Sequence, residues 1–546
     1  MKGFFNRRLL ASLMAQPNDG SGRAPVAIVR PTTSVTSGVE VTQKLVGAAV
    51  AFGNLISGTF GPNGLDKMLY KTNGEAAVTN DGAKIVAELL VKHPAAKAFV
   101  LLAESQENAC GDGVTGCLII ASELMREAGR LLEKGLHPLI LINGYQSALK
   151  YTLDHLEEVE EEVSLSDKEI LLSIAKTAMT GTSAETKDDT IPEAVIEAVI
   201  QVADIDEEGT PIVNTEDIRI SKSGEGSISQ TKLVRGLIIE RRIGLDRIPR
   251  SIERGKVAVL SCPLEIQQTT RESEVEISTA EQWEGFIDAE QKILDSKSEK
   301  IIASGAKVLF CAESIDSRIL HRLADEGMFI LDNLERSGAE DLAKATGALM
   351  INHIDDLTEE TLGVFDSLTV SKIDDTEEPR DRIYLEVGKS SGLSTIDVGG
   401  GVGVASEEII RGIYDALRSV SASILTGSAV CGGGSFHMSA SLHVREKSEM
   451  HSGKERLAME AFARALEAIP ATLASNAGQH RLDSLLSLTA LQRNGSSNAG
   501  INKYGEASQL DSIFECADSV AHAIEAACET ACGLLRVDQV ISARGD

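Results

Sequence analysis

Aromatic residues are scarce in this sequence: they make up 3% of its 546 residues, with a single tryptophan. Hydrophobic residues still reach 42%, and there are 48 glycines. The cores must therefore be built from Ala, Val, Ile and Leu and joined by many tight turns, which is typical of a large α/β protein and not of a disordered chain. The length is several times that of an average domain, so we expect two or three domains.

Clustered metal ligands are also missing from the sequence. The eight cysteines form no Cys-x-x-Cys pair, and the ten histidines form no His-x-x-x-His pair and no His/Cys cluster with zinc spacing. We therefore expect reduced, mostly buried thiols and no structural metal site.

Basic charge is in deficit: 82 acidic and 53 basic residues give a formal net charge of -29. Long-range repulsion disfavours nucleic acid and anionic membranes as partners, although a local nest of amides with Mg²⁺ still allows a free nucleotide to bind. No apolar stretch approaches the ~20 residues that a membrane span requires. The short apolar run within residues 1–14 is not followed by a cleavage pattern. We expect a cytoplasmic protein.

Two helical regions flank a segment of different character. Helical spacing of apolar residues predicts helices over Val39–Ser57, Ala83–Leu90, Ala95–Cys110, Thr115–Lys134, Pro138–Glu162, Glu407–Ile424, Lys454–Ala474 and Leu510–Leu535. Between them, strands alternate with helical stretches such as Gln282–Ala303; the predicted strands are Leu233–Glu240, Lys256–Leu260, Lys307–Phe310, Met328–Leu331 and Ala348–Asn352. This order predicts a distal α/β domain on a two-stranded connector, a geometry that suits hinge motion.

Three glycine-bearing loops carry the residues that phosphate and Mg²⁺ binding require. Gly61-Pro62-Asn63-Gly64 offers unobstructed amides, Asp81 precedes Gly82 at a predicted helix start, and Asp112 lies between Gly111 and Gly113 directly before another helix. Helix N-termini and glycine nests favour anions, and a neighbouring carboxylate can hold Mg²⁺. Each loop taken singly is more often an ordinary turn or cap.

Two familiar nucleotide motifs are rejected. Gly388-Lys389-Ser390 resembles the end of a P-loop, but Ile383 stands where that motif needs its first glycine. The stretch Gly111–Gly116 fits G-x-G-x-x-G, yet seven residues separate it from the apolar run Ala98–Ala103, and no acid closes a following strand.

The order of motifs along the chain resembles the group II chaperonins, the thermosome and cytosolic TCP-1 ring family, from about Val39 to Ile541. The blocks that carry this resemblance are Gly58-Thr59-Phe60-Gly61-Pro62-Asn63-Gly64-Leu65-Asp66-Lys67-Met68-Leu69, Val78-Thr79-Asn80-Asp81-Gly82-Ala83, His93-Pro94-Ala95-Ala96-Lys97, Gly111-Asp112-Gly113, His137-Pro138, Asn143-Gly144-Tyr145, Cys262-Pro263-Leu264-Glu265, Leu342–Ala348, Gly432-Gly433-Gly434 and Arg536–Ile541. Several such blocks in one order are far more specific than any single block.

The resemblance implies a multidomain α/β fold: a mostly helical, split equatorial ATPase domain, a small split intermediate α/β domain, and an inserted apical α/β domain with a lid-like protrusion. The boundaries we expect are 1–160 and 419–546 for the equatorial domain, 161–228 and 383–418 for the intermediate domain, 229–382 for the apical domain, and about 263–285 for the protrusion. The apolar residues of that region are expected to contact client chains or neighbouring protrusions; they are Val275, Ile277, Trp283 and Phe286. The alternative for Trp283 and Phe286 is that they pack the next helix.

The resemblance also implies site residues, with ATP and Mg²⁺ as cofactors. It implies catalytic roles for Asp81 and for Asp415, which would enter from the intermediate domain, and a magnesium ligand in Asp112. Nucleotide contacts are implied for Gly58, Thr59, Gly61, Pro62, Asn63, Gly64, Asn80, Gly82, Gly111, Gly113, Val114, Thr115, Gly433, Gly434 and Asn502. The implied partners are unfolded client proteins and copies or paralogues of this chain in stacked rings.

Some positions depart from the family pattern. Val114 and Gly116 stand where hydroxyl residues are usual, Thr182 where a lysine often follows Thr-Gly, Val398 where an arginine is common, and Asn502 where an acid is common. These departures leave two hypotheses open: an active folding ATPase, or a specialised ring member that binds nucleotide weakly and contributes shape or client contacts.

Overall fold

The computed structural model describes residues 34–70, 76–89, 91, 93–182, 184, 189–206, 209, 211–223, 226–266, 279–373, 380–400 and 404–542. Its helices are α1 Val39–Ile56, α2 Gly82–Ala87, α3 Pro94–Ala109, α4 Val114–Glu133, α5 Pro138–Val159, α6 Lys168–Met179, α7 Thr190–Val202, α8 Ala280–Ala303, α9 Ser317–Asp325, α10 Arg336–Thr346, α11 Val404–Thr426, α12 Ser435–Ser448, α13 Glu455–Leu466, α14 Ala468–Asn476, α15 Arg481–Arg493 and α16 Ala517–Leu535. The result is a mixed α/β protein.

The strands are short except in the middle of the chain. They are β1 Ser34–Ser37, β2 Lys67–Tyr70, β3 Ala76–Thr79, β4 Glu161–Glu162, β5 Asp204–Ile205, β6 Pro211–Ile212, β7 Ile218–Lys222, β8 Lys232–Val234, β9 Gly236–Arg241, β10 Ser251–Leu260, β11 Val308–Cys311, β12 Phe329–Leu331, β13 Met350–Ile351, β14 Gly363–Ile373, β15 Arg380–Glu386, β16 Ser394–Val398, β17 Ser428–Cys431, β18 Ala499–Ile501, β19 Ala507–Gln509, β20 Phe514–Cys516 and β21 Gln539–Ser542.

The two ends of the chain share one hydrophobic core, which we call the helical body. Helices α1, α3, α4 and α5 bury apolar faces against α12, α13 and α16, with Phe99, Leu118 and Phe462 fully inside. Strand β1 pairs antiparallel with β21, so that Ser34 lies opposite Ser542. Residues from opposite ends of the chain therefore form a single body, as the helical flanks of the sequence predict.

A second core, the sheet body, is built from residues between Leu237 and Leu393. Its sheet has the order β12-β11-β10-β14-β15-β9, and β13 also pairs with β10. Strands β10, β11 and β12 are parallel, whereas β14 runs antiparallel to β10 and to β15. All four residues of β11 are buried, so both faces of this strand are covered, as is usual for parallel strands.

A third core, the middle body, lies between the other two along the chain, which passes through it twice. Helices α6, α7 and α11 pack around the small sheet β7-β16-β8. Its core residues come from Val163 to Ile218 on the first pass and from Ile396 to Ala429 on the second, and Phe514 of β20 joins them. Most of the body that carries α11 is thus built from two separate stretches of chain.

Tertiary pairing corrects several predicted boundaries. The helix predicted to reach Glu162 ends at Val159, because Glu161 and Glu162 pair with β17. The helix predicted from Leu510 begins at Ala517, because Phe514–Cys516 forms the other neighbour of β17. The segment Leu233–Glu240 is split because β8 joins β16 in the middle body and β9 joins β15 in the sheet body.

The helix predicted over Lys454–Ala474 is two helices, α13 and α14, with Glu467 between them. Pro470 lies in the first turn of α14. Because proline has no N–H to donate, it is tolerated in a first turn but interrupts a continuous helix.

The predicted excursion Pro263–Ala280 falls mostly on residues 267–278, so that Val275 and Ile277 lie outside the described residues. From Ala280 the chain is helical, and in α8 Trp283 is 55% and Phe286 46% exposed. Neither side chain packs into the core of the sheet body.

No helix in the described part of the chain is long and apolar enough to cross a membrane.

Candidate active site

A cleft of about 410 Å³ opens where the helical body and the middle body meet. Its walls come from the loop after α1, the loop before α2, the loop between α3 and α4, the end of α6, the inner face of α11, and loops near Gly433 and Asn502. These segments are far apart in sequence. The cleft therefore exists only when both ends of the chain and the middle body are packed together.

Asp81 is held in place by the helix that it caps. Its Oδ1 accepts a hydrogen bond from the Ala83 N–H at 2.8 Å, and its Oδ2 accepts one from the backbone N–H of Lys84 at 3.4 Å. Asp81 also forms an ion pair with Arg411 of α11. An N-cap carboxylate has a defined direction, and here the ion pair orients it towards the middle body.

Asp112 is half-buried between two glycines in the left-handed conformation, Gly111 at φ 71° and Gly113 at φ 80°. Its carboxylate accepts hydrogen bonds from the Gly113 N–H at 2.6 Å and from the Ser419 hydroxyl at 2.9 Å. Burial raises the pKa of Asp112; the two hydrogen bonds oppose that rise, and the Asp81 charge adds to it. The left-handed loop is what allows α4 to begin directly beside this carboxylate.

Asp415 lies on α11, one helical turn beyond Arg411, and is half-buried in the cleft wall. Burial raises its pKa well above the ordinary value, and repulsion from Asp112, Asp81 and Glu107 raises it further. Asp415 thus faces carboxylates of the helical body across the boundary between two bodies.

Glu408, two turns before Asp415 on the same helix, ties α11 to the helical body. It accepts hydrogen bonds from Lys84 Nζ at 2.9 Å and from the Thr79 hydroxyl at 3.2 Å. Together with the Arg411–Asp81 pair, this contact fixes how α11 is seated on the cleft.

The glycine loop after α1 folds tightly against α14. Gly61 has φ 81°, and a β-carbon at this position would lie 2.3 Å from Leu473. The Gly64 N–H donates to the Gly61 carbonyl at 2.9 Å. The Asn476 side-chain amide of α14 donates to the carbonyls of Ser57 and Phe60 at 2.8 Å, and these two bonds tie the loop to α14. Gly61 and Pro62 are left facing the cleft.

Most of the predicted site residues line the cleft, and four do not. Those that line it are Thr59, Gly61, Pro62, Asn80, Asp81, Gly82, Gly111, Asp112, Gly113, Val114, Thr115, Asp415, Gly433 and Asn502. Those outside the lining are Gly58, Asn63, Gly64 and Gly434. Asn63 instead donates to the Lys503 carbonyl at 2.7 Å, and Gly434 packs against Pro470 at the start of α12.

Asn502 lines the cleft, but its amide serves the hairpin that carries it. The side-chain oxygen accepts from the N–H groups of Tyr504 and Glu506 at 2.9 and 3.1 Å, and the nitrogen lies 3.2 Å from the Ser508 hydroxyl. These bonds hold the Asn502 amide within its own hairpin.

Six charged residues that line the cleft were not predicted from the sequence: Glu107, Lys176, Glu408, Arg411, Lys503 and Glu515. Arg418, which lies beside the cleft, was not predicted either. Arg411 could have been found, because it lies four residues before Asp415 and therefore on the same helix face. Glu107 and Arg418 form an ion pair at 3.3 Å between α3 and α11, which no local pattern reveals. Glu515 is half-buried on β20, where burial first and Asp112 second raise its pKa to about 7.

The charges of the cleft suit a divalent cation. Burial, followed by repulsion from neighbouring acids, raises the pKa of Glu107 and of Asp415. Burial also raises the pKa of Asp112, and the charge of Asp81 adds to that rise. The arginines at the edge do not offset this excess of negative charge. A hard cation such as Mg²⁺ takes carboxylate oxygens as ligands, and Asp112 is the acid held by two hydrogen bonds beside a helix start.

Both rejected motifs are placed as predicted. Ala98–Ala103 lies inside helix α3, so no strand precedes Gly111 as a dinucleotide fold requires. Gly388–Ser390 forms a single 3-10 turn after β15, and none of the three residues lines the cleft.

Comparison with known proteins identifies the family. The TCP-1/cpn60 chaperonin family matches residues 52–545. A thermosome subunit of Methanopyrus kandleri is 37% identical over 500 residues, covering 91% of each chain. Thermosome subunit beta of Archaeoglobus fulgidus is 36% identical, covering 95% of each chain, and thermosome subunit alpha of Thermoplasma acidophilum is 32% identical, covering 96% of this chain and 95% of its own. The chain therefore belongs to the TCP-1/cpn60 chaperonin family, and the predicted resemblance to group II chaperonin subunits is confirmed.

Proposed function

We propose that this chaperonin subunit hydrolyses ATP in the cleft and uses the reaction to move its bodies relative to one another. One observation carries the proposal: Asp81, Asp112 and Asp415, from three separate segments and two different bodies, line the same cleft. A carboxylate supplied by a second body is in place only when that body is seated, which couples the chemistry to motion.

The phosphates would lie against the glycine loops. Gly61 and Pro62 on one side and Gly111 and Gly113 on the other expose backbone at the cleft, and α4 presents its N-terminus beside Asp112. Backbone amides and the positive end of a helix bind anions without needing a basic side chain. Asp112 would hold Mg²⁺, which when bound neutralises phosphate charge and orients the terminal phosphate.

Asp81 and Asp415 would act on the attacking water. The raised pKa of Asp415, caused first by burial, makes it a better proton acceptor than an exposed aspartate. Asp81 is fixed by its capping bonds and by Arg411, so it can orient a water molecule with little loss of entropy.

The larger architecture follows from the same assignment. The helical body would be the equatorial domain, over 1–160 and 419–546, and the middle body the intermediate domain, over 161–228 and 383–418. The sheet body would be the apical domain, over 229–382, with its protrusion at about 263–285. Trp283 and Phe286 are exposed on α8 and would contact unfolded client chains. We expect stacked rings in the cytoplasm.

Phosphate release by the purified chain tests the proposal. We expect Mg²⁺-dependent hydrolysis of ATP that falls by about 10²–10⁴-fold in Asp81→Asn and in Asp415→Asn. The matched control is Glu407→Gln, an exposed acid on the same helix α11, which should leave the rate unchanged. Equal rates in the aspartate variants and the control would overturn the catalytic assignment.

Particle images of the purified chain with and without ATP test the assembly. Stacked rings whose apical ends rearrange with ATP are expected. Rings without turnover would instead favour the specialised ring member suggested by Val114, Gly116 and Asn502. Steady turnover by the chain alone would exclude that alternative.

A further inference from the structure

A second group of polar side chains converges outside the residues that line the cleft. His155 and Glu158 lie one turn apart near the end of α5, and His443 faces them from α12. One potential ligand atom from each of the three lies within 4.8 Å of the others. The two helices belong to opposite ends of the chain, which is why no histidine spacing in the sequence indicates this group.

The two imidazole rings already lie face to face. The rings of His155 and His443 are stacked with centroids 4.5 Å apart and planes inclined by 19°. Ligands about 2.1 Å from one tetrahedral ion lie roughly 3.4 Å from each other. Binding one ion would therefore require side-chain rotations that bring the three ligand atoms closer together than their present separations.

His155 has one nitrogen anchored and one unused. Its Nε2 lies 3.2 Å from the Ser439 hydroxyl of α12, which orients the ring. Its Nδ1 is buried and has no hydrogen-bond partner among the described residues, because Glu158 Oε2 stays 3.6 Å away. A buried nitrogen without a partner is costly, and a bound ion would satisfy it. Such an anchored ring is typical of metal ligands.

The protonation state of the pair also suits coordination. Burial lowers the pKa of His155, and the neighbouring His443 lowers it further; burial, followed by Lys447, lowers the pKa of His443. Both shifts favour the neutral form of the ring, which is the form that binds metals. The acids Asp154, Glu158 and Glu446 act on His443 in the opposite direction and give the surroundings a negative charge that attracts a cation.

We propose that His155, Glu158 and His443 bind one divalent transition-metal ion, with Zn²⁺ the best fit, and so clamp α5 to α12. Two imidazoles and one carboxylate form a ligand set typical of zinc, and the remaining coordination position is open to water. Mg²⁺, which prefers oxygen ligands, is disfavoured. Because the clamp joins the two ends of the split helical body, the ion stabilises that body and does not depend on ATP hydrolysis.

Equilibrium dialysis of the full chain against Zn²⁺ in excess Mg²⁺, followed by metal analysis, tests the site. We expect one Zn²⁺ per chain, and binding weakened at least about tenfold in His443→Gln and in Glu158→Gln. Two controls match these changes. His480→Gln alters a surface histidine that also lies 3.6 Å from an acid, Asp483, and Glu157→Gln removes an exposed acid next to Glu158. Both controls should bind like the unaltered chain.

Co²⁺ substitution identifies the ligands, since an ion bound by cysteine thiolates gives a strong near-ultraviolet charge-transfer band that a His/Glu site lacks. Thermal melting supplies an independent readout: Zn²⁺ should raise the midpoint of the unaltered chain and of His480→Gln but not that of His443→Gln. Circular dichroism of the metal-free variants checks that they fold. Lack of stoichiometric Zn²⁺, a thiolate band, or equal affinity in all variants would overturn the proposal.

Discussion

Acidic side chains behave in opposite ways in the cleft and in the sheet body. In the cleft, burial raises the pKa of Glu107, Asp112 and Asp415, and neighbouring acids raise it further. In the sheet body, hydrogen bonds to basic side chains lower the pKa of others. These acids and their partners are Asp316 with Arg318, Asp355 with Lys300 and Glu359 with Lys256.

The difference separates acids that support the fold from acids that work against it. A carboxylate with its own cation is more stable ionised in the folded chain than in the unfolded chain. Carboxylates crowded in a buried cleft are less stable when ionised, so folding brings them together at a cost. Such costs are concentrated where a ligand or a reaction later makes use of the charge.

The largest effect is expected for Asp415→Asn, which removes one of the crowded acids of the cleft. ATP hydrolysis should fall by about 10²–10⁴-fold, because the proton acceptor is lost. Measured without ATP and Mg²⁺, the melting midpoint should rise or stay unchanged, because a buried charge that repels Asp81, Asp112 and Glu107 is removed. A clear fall in the midpoint would show that this acid is a structural partner and not a crowded one.

Gly111→Ala should disturb the cleft more than a similar change disturbs the sheet body. A β-carbon at Gly111 would lie 1.9 Å from Arg418, at a φ of 71°. We expect a loss of roughly 2–5 kcal/mol in unfolding free energy, from backbone strain and displacement of Arg418 together. Gly327→Ala is the control: its φ is 78°, and nothing lies within 4 Å of its β-carbon.

Only the strain, about 1–2 kcal/mol, is expected for the Gly327 change. Denaturant unfolding of the two variants measures the difference between them. Equal losses would mean that Arg418 moves aside freely.

His437 tests how burial alone changes a pKa and, through it, the pH dependence of stability. Burial alone lowers its pKa from 6.5 to about 4. Between these values the unfolded chain binds a proton that the folded chain does not, so stability falls as the pH drops below the unfolded pKa. The loss should be about 2 kcal/mol at about pH 5.

The measurement compares the pH dependence of the denaturation midpoint in the unaltered chain and in His437→Gln. The variant should show the smaller decline between neutral and mildly acidic solution. Parallel curves would mean that His437 becomes solvated before the chain unfolds.

The smallest effect is expected for a paired acid of the sheet body. Asp316 accepts a hydrogen bond from the Arg318 N–H at 2.9 Å and caps α9. Asp316→Ala should cost about 1 kcal/mol for the lost cap. Asp316→Asn keeps a good cap and removes the charge, so its melting midpoint should lie close to that of the unaltered chain. A large loss in the Asn variant would mean that the ion pair, and not the cap, stabilises this helix.

Local sequence was enough to predict most elements and much of the candidate site. Helical periodicity located α1, α3, α4 and α11 to within a few residues, because each buries one apolar stripe. Asp81 and Asp112 stood out because they precede helix starts within glycine loops. Boundaries failed where pairing decides them: Glu161–Glu162 and Phe514–Cys516 are strands only because β17 lies between them.

Contacts across the bodies could not be predicted from local pattern. Glu107 meets Arg418, Asp112 meets Ser419 and Asp81 meets Arg411 over separations of more than three hundred residues. The histidines show the same limit. The absence of zinc spacing led us to expect no structural metal site, yet His155 and His443 are in contact through the packing of α5 against α12.

The sequence by itself determined the family, the helical flanks around an α/β insertion, and the glycine loops that carry Asp81 and Asp112. All of these depend on interactions within a few residues or on motifs read in order along the chain. Only the tertiary structure decided which acids share the cleft, which arginines pair with them, and which histidines stack on each other. Burial and charge repulsion depend on distances in space, and those distances are set by the packing of segments that lie far apart in sequence.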